Sequence, residues 1–152
     1  MTVSFPGIGL SFSINRVAFT LFGIPIYWYG IIIALGFIAG IAVATVASKK
    51  LGEEDDTAID LALVCAPLAI VCARLYYVIF KWEEYSRDLA SVFDIRSGGL
   101  AIYGGIIGAV ISAIAYAKIK KKSLLTLLDI GSVGLITGQM IGRWGNFFNQ
   151  EV

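Results

Sequence analysis

Four stretches of this chain are nearly free of charge over the length that crosses a bilayer: Tyr27–Ala47, Ala58–Phe80, Leu100–Ala117 and Leu124–Ile141. A transmembrane helix needs about 20 consecutive, mostly apolar residues to cross the ~30 Å hydrocarbon layer. The chain therefore reads as an all-α polytopic membrane protein with about four transmembrane helices, forming a single membrane domain over residues 1–152. Val17–Ile26, ahead of the first run, is too short to cross and reads as an interfacial segment or a short strand. Met1–Asn15 has neither a basic leader nor an early apolar run, so it does not read as a cleavable signal peptide.

Composition agrees. Hydrophobic residues make up 58% of the chain and charged residues 15%, where soluble domains have ~45–50% and ~25%. A formal net charge of +1 gives no signal for nucleic acid or another polyanion. The chain has no histidine, which removes the commonest general base and metal ligand. Cys65 and Cys72 lie seven residues apart, ~10 Å along a helix axis. That is too far for a disulfide, and both read as small apolar packing residues.

Charge placement sets the expected topology. Lys49 and Lys50 follow the first run, and Lys118, Lys120, Lys121 and Lys122 follow the third. These two loops share a side and outweigh Arg16, Lys81, Arg87 and Arg96 on the other, which favours an N-terminus outside. Span four then ends outside. Gly36/Gly40, Gly104/Gly108 and Gly134/Gly138/Gly142 have the spacing that lets helix backbones approach closely. Tyr27, Trp28 and Tyr29 at one span end, and Tyr76, Tyr77 and Trp82 at another, fit an interfacial aromatic belt.

The polar residues inside or beside the spans carry the chemistry. Arg74, toward the end of the second run, reads as an arginine snorkelling to the outer interface. Asp129, early in the fourth run, reads as a structural pairing partner. Ser97-Gly98-Gly99-Leu100-Ala101-Ile102-Tyr103-Gly104-Gly105 flanks one phenol with glycine pairs, which permit close backbone approach by a ligand near Gly104. The densest polar group closes the chain, in Gly142-Arg143-Trp144-Gly145-Asn146-Phe147-Phe148-Asn149-Gln150-Glu151. Arg143 offers a planar fork of donors suited to phosphate. Asn146 and Asn149 share a helical face if the helix continues, and Glu151 is the nearest carboxylate along the chain. A cation, two amides and a carboxylate at a membrane interface suit an anionic lipid headgroup.

That terminal segment resembles the signature of the bacterial prolipoprotein diacylglyceryl transferases. Three further blocks resemble the same family, in order: Tyr27-Trp28-Tyr29-Gly30, Ala73-Arg74-Leu75-Tyr76-Tyr77 and Gly98-Gly99-Leu100-Ala101-Ile102-Tyr103-Gly104-Gly105. The resemblance implies a multi-pass enzyme of the bacterial inner (cytoplasmic) membrane whose site opens to the outer leaflet. Such enzymes move the diacylglyceryl group of phosphatidylglycerol to the lipobox cysteine at the signal peptide of a prolipoprotein, without metal or cofactor. The implied partners are phosphatidylglycerol, prolipoprotein signal peptides and the bilayer.

By the resemblance, Arg143 binds the lipid phosphate, Tyr29 and Asn149 join it in substrate binding with Gly104, and Asn146 and Glu151 fall on residues important for activity. Tyr103 stands where many members carry histidine. Its phenol, with an ordinary pKa of ~10, is a poor base, so its expected role is hydrogen bonding and the base stays open. Family chains are longer, about seven spans, and use a further arginine downstream. This chain is thus expected to be an amino-terminal portion of a larger bundle, binding lipid poorly and not turning over by itself. Two other classes compete: a non-catalytic membrane protein that binds anionic headgroups through Arg143, and a small transporter subunit. The absence of an internal repeat weighs against the transporter.

Overall fold

The computed structural model describes residues 2–5, 7, 9–13, 15–95 and 98–149. Two antiparallel hairpins come first: β1 (Thr2–Phe5) with β2 (Leu10–Ser13), and β3 (Val17–Leu21) with β4 (Ile24–Tyr27). Helices follow: α1 (Trp28–Lys50), α2 (Thr57–Phe80), the short α3 (Trp82–Tyr85), a 3-10 turn at Leu89–Phe93, α4 (Ile102–Lys120) and α5 (Leu124–Asn149). The chain divides into two compact units, Met1–Val46 with Ser132–Val152, and Ala47–Gly131.

The four long helices coincide with the four apolar runs, and each is long and apolar enough to cross a membrane. At 1.5 Å per residue, the 23 residues of α1 extend about 34 Å. Side chains such as Leu63, Ile79, Leu135 and Ile136 stay exposed. So much outward apolar surface on a folded chain marks faces that meet lipid or neighbouring helices. Pro67 lies inside α2 without ending it, as membrane helices tolerate.

In the unit of Met1–Val46 and Ser132–Val152, Val17–Ile26 resolves into the short-strand alternative. The β3–β4 turn runs through Phe22 (φ 50°) and Gly23 (φ 81°), the doubly left-handed geometry of a two-residue hairpin turn. Behind it, α1 meets α5 through glycine: a Cβ added at Gly40 would lie 2.7 Å from the Gly134 carbonyl oxygen, and one at Gly36 3.2 Å from that of Gly138. The small-residue spacing is thus used where two backbones touch. The fourth helix also departs from expectation, running through Asn149 rather than stopping near Ile141. Hydropathy marks the apolar thickness, whereas the helix propagates for as long as its own hydrogen bonds and packing sustain it. Ring contacts of Phe148 with Trp28 (5.8 Å) and of Phe147 with Trp144 and Phe148 (6.4 and 5.9 Å) accompany the extra turns.

In the unit of Ala47–Gly131, Leu61, Ala113, Tyr116, Ala117 and Leu127 form the buried core, with Cys65 and Leu124 against it. Gly104 and Gly108 let α4 lie on α2. Their added Cβ atoms would come within 2.5 Å of the Cys72 carbonyl oxygen and 2.6 Å of Cys72 Cβ, respectively. Both cysteines are free thiols. At one end of this unit the two lysine-bearing loops are joined. Lys122 Nζ contacts Glu53 at 2.7 Å and Glu54 at 3.2 Å, and its side chain is only 13% exposed. The Glu53 hydrogen bond, with help from Glu54, raises the Lys122 amine above the ordinary lysine value. Lys120 reaches Asp60 at 3.5 Å nearby. α4 ends with Lys121 left-handed (φ 53°), and the Lys122 amide donates back to the Ala117 carbonyl.

Candidate functional site

The last two turns of α5 carry Arg143, Asn146 and Asn149 as one helical strip. Arg143 is exposed, and it makes no hydrogen bond or ion pair with another described residue. Asn146 and Asn149 are half-buried. The first turn of α1 packs against the same segment. A Cβ at Gly145 would lie 3.2 Å from Tyr29 Cδ2 and 3.6 Å from Ile32 Cγ2. The glycine beside Asn146 is therefore what admits the Tyr29 ring to the α5 backbone. Trp28 covers Phe148 one turn further along. Within this unit Tyr29 packs on α5 at Gly145, while Arg143, Asn146 and Asn149 lie along another face of the same turns. Glu151 lies outside the described residues.

The α1–α5 end has a further tie. Arg16 Nη2 donates to the Asn149 carbonyl at 2.7 Å, and the Trp28 amide donates to the Arg16 carbonyl at 3.0 Å. Charge counting along the chain registers Arg16 only as one cation of a loop, because its acceptor is a backbone oxygen 133 positions away.

In the other unit, Arg74 and the glycine-rich segment come together, and the snorkelling reading of Arg74 is corrected. Arg74 is 4% exposed and turns inward to the α3–α4 connection. Its Nε donates to the Val92 carbonyl (2.9 Å), Nη1 to Gly98 and Gly99 (2.7 and 3.0 Å), and Nη2 to Ser91 and Asp94 (2.7 and 2.9 Å). The Tyr85 ring covers the guanidinium at 5.0 Å. All five N–H donors of the fork are thus spent on carbonyls. Gly98 (φ 92°) and Gly99 (φ 78°) adopt left-handed dihedrals that aim two successive carbonyls at one nitrogen. A buried charge is costly unless it is fully hydrogen-bonded. Here the loop wraps the cation, and the cation holds the loop.

Tyr103 stands in the first turn of α4 with its side chain 68% exposed. Its neighbour Gly104 is buried against Cys72, Ala73 and Tyr76 of α2. That contact accounts for a glycine at position 104 by helix packing. The Ala101 amide donates to the Ala73 carbonyl at 3.1 Å, which fixes the start of α4 beside Arg74.

The motif blocks therefore pair within the units: the α1 start with the α5 end, and the Arg74 block with the glycine-rich block. Four span-length helices carrying such blocks define a multi-pass membrane protein. The profile of the family described as prolipoprotein diacylglyceryl transferase matches residues 16–152. A phosphatidylglycerol–prolipoprotein diacylglyceryl transferase of Bacillus cytotoxicus is 50% identical over 138 residues, covering 91% of this chain and 51% of that protein. One of Clostridioides difficile is 44% identical over 137 residues, covering 90% of this chain and 55% of that protein. The chain belongs to the prolipoprotein diacylglyceryl transferase family. It spans about half the length of the curated relatives it matches.

Proposed function

We propose that this chain supplies the donor-lipid headgroup site of an enzyme that transfers the diacylglyceryl group of phosphatidylglycerol to the lipobox cysteine of prolipoproteins. The observation that carries the reading is the exposed Arg143 guanidinium, uncommitted among the described residues, with the amides of Asn146 and Asn149 on the following turns of α5. In the reaction the cysteine sulfur attacks the glyceryl carbon and forms a thioether. The C–O bond to phosphate breaks, glycerol 1-phosphate leaves with the bond's electron pair, and the thiol proton goes to a base. Arg143 binds the phosphate and stabilises the charge that grows on the leaving group. Asn146 and Asn149 orient the headgroup, with Glu151 and Tyr29 assigned to the same site. In the other unit, the exposed Tyr103 phenol is assigned a hydrogen-bonding role of its own. The thiol, with an ordinary pKa of ~8.5, needs only modest activation.

The proposed setting is the bacterial inner membrane, with the N-terminus outside, the site at the outer leaflet and the signal peptide of the acceptor held in the same bilayer. The Lys122–Glu53 contact supports the orientation, since it joins the two lysine-bearing loops at one end of their unit. Holding a membrane lipid beside a membrane-anchored thiol supplies proximity. Reconstitution of the intact protein in vesicles of phosphatidylglycerol or of phosphatidylcholine, with a lipobox peptide, tests the reading. A diacylglyceryl mass increment only with phosphatidylglycerol supports it. Headgroup binding without any increment would favour the non-catalytic lipid-binding alternative.

A further inference from the structure

Arg16 lies outside all four motif blocks, and the reaction scheme above leaves it unused. It is half-buried at the start of the second hairpin. Its carbonyl accepts from the Trp28 amide at 3.0 Å, at the first residue of α1. Its Nη2 donates to the Asn149 carbonyl at 2.7 Å, in the last described turn of α5. Among the described residues its buried Nε has no hydrogen-bond partner, and the contact that holds this side chain there is the Nη2 bond to Asn149.

A hydrogen bond from a charged donor is stronger than one from a neutral donor, and Arg16 makes it to the Asn149 carbonyl. Backbone at one end and guanidinium at the other, it closes a ring with two aromatic contacts: Trp28 on Phe148, and Tyr29 over Gly145. Arg143 has no partner among the described residues, and rotation of these turns of α5 would displace Asn146 and Arg143 together.

We infer that Arg16 is a positioning residue: it clamps the last described turn of α5 to the first turn of α1 and thereby fixes the direction in which Arg143 and Asn146 meet an anionic lipid headgroup. The inference rests on the proposed headgroup role of Arg143, and the test separates the two. The intact protein is compared with Arg16→Met and Arg16→Lys in phosphatidylglycerol vesicles, by hydrogen exchange and by transfer kinetics. In Arg16→Met, the amides of Phe147, Phe148 and Asn149 exchange ~10-fold faster, as expected for a turn released from its clamp. The kcat/KM for phosphatidylglycerol falls ~10-fold through misplacement, while KM for the lipobox peptide is unchanged, a split that general unfolding would not give. Arg16→Lys restores most of both effects, because an ammonium still donates to the carbonyl. Wild-type exchange at these amides in Arg16→Met overturns the clamp. Faster exchange with unchanged transfer overturns the positioning role. If the wild type transfers nothing, the functional reading fails, and exchange alone decides the clamp.

Discussion

The guanidinium of Arg74 occupies the space that a side chain on Gly99 would fill. A Cβ built on Gly99 would strike Arg74 Nη1 and lie 2.9 Å from Tyr77 Cε1, while the Gly99 carbonyl accepts from that same nitrogen at 3.0 Å. The two residues are 25 positions apart, and each makes sense only with the other.

Gly99→Ala is therefore expected to destabilise the protein. The left-handed dihedral alone costs an L-residue ~1–2 kcal/mol, and the collision with the guanidinium adds to it. Unfolding in detergent should show a lowered midpoint, and proteolysis should find the α3–α4 connection opened.

Arg74→Met leaves five loop carbonyls without their donor and should cost ~3–5 kcal/mol, the range for breaking a buried charged network. Arg74→Lys should recover only part of this, since an ammonium has three donors and no planar fork. Thermal unfolding of the three proteins under one lipid condition gives the order wild type, Lys, Met.

Gly104→Ala separates packing from lipid contact. Because a Cβ there meets the Cys72 carbonyl oxygen at 2.5 Å and Ala73 Cα at 2.9 Å, α2 and α4 must part, at ~1–3 kcal/mol as for other overpacked sites. Unchanged stability with lost lipid binding would instead place the role of Gly104 in the site.

The Lys122 contact carries a pH signature. Its amine is raised above the ordinary lysine value by the Glu53 hydrogen bond and by Glu54. A group raised on folding contributes its full stability below its unfolded pKa, ~10.4, and loses that contribution as pH climbs through the raised value. The Tm difference between wild type and Lys122→Met should thus be constant from neutral pH to about 10 and shrink above that. A difference that shrinks between pH 5 and 8 would point to another group.

The fold was largely legible because membrane spans are written in composition: the four apolar runs became α1, α2, α4 and α5. What stayed hidden was contact with backbone. Arg74 looks like a snorkelling cation because its acceptors are the carbonyls of Ser91, Val92, Asp94, Gly98 and Gly99, and carbonyls leave no trace in side-chain identity. Only the Gly98-Gly99 pair signals that the backbone there does something unusual. Arg16 is hidden for the same reason, its acceptor being the carbonyl of Asn149. The end of α5 was misplaced because Ile141 ends the apolar run but not the helix. The face shared by Asn146 and Asn149 was readable from spacing once the helix continued, whereas the part of Gly145 in seating Tyr29 on α5 needed coordinates.

The central claim is that Arg143 holds the phosphate of the donor lipid. Its most direct measurement is the transfer rate to a lipobox peptide by intact protein in phosphatidylglycerol vesicles, for wild type, Arg143→Lys and Arg143→Ala. Loss of one donor aimed at a developing oxyanion typically costs ~100–1,000-fold in rate. The account predicts a loss of that order for Arg143→Ala, and a smaller one for Arg143→Lys, with unfolding midpoints unchanged because the side chain is exposed. Transfer by Arg143→Ala at the wild-type rate would contradict it.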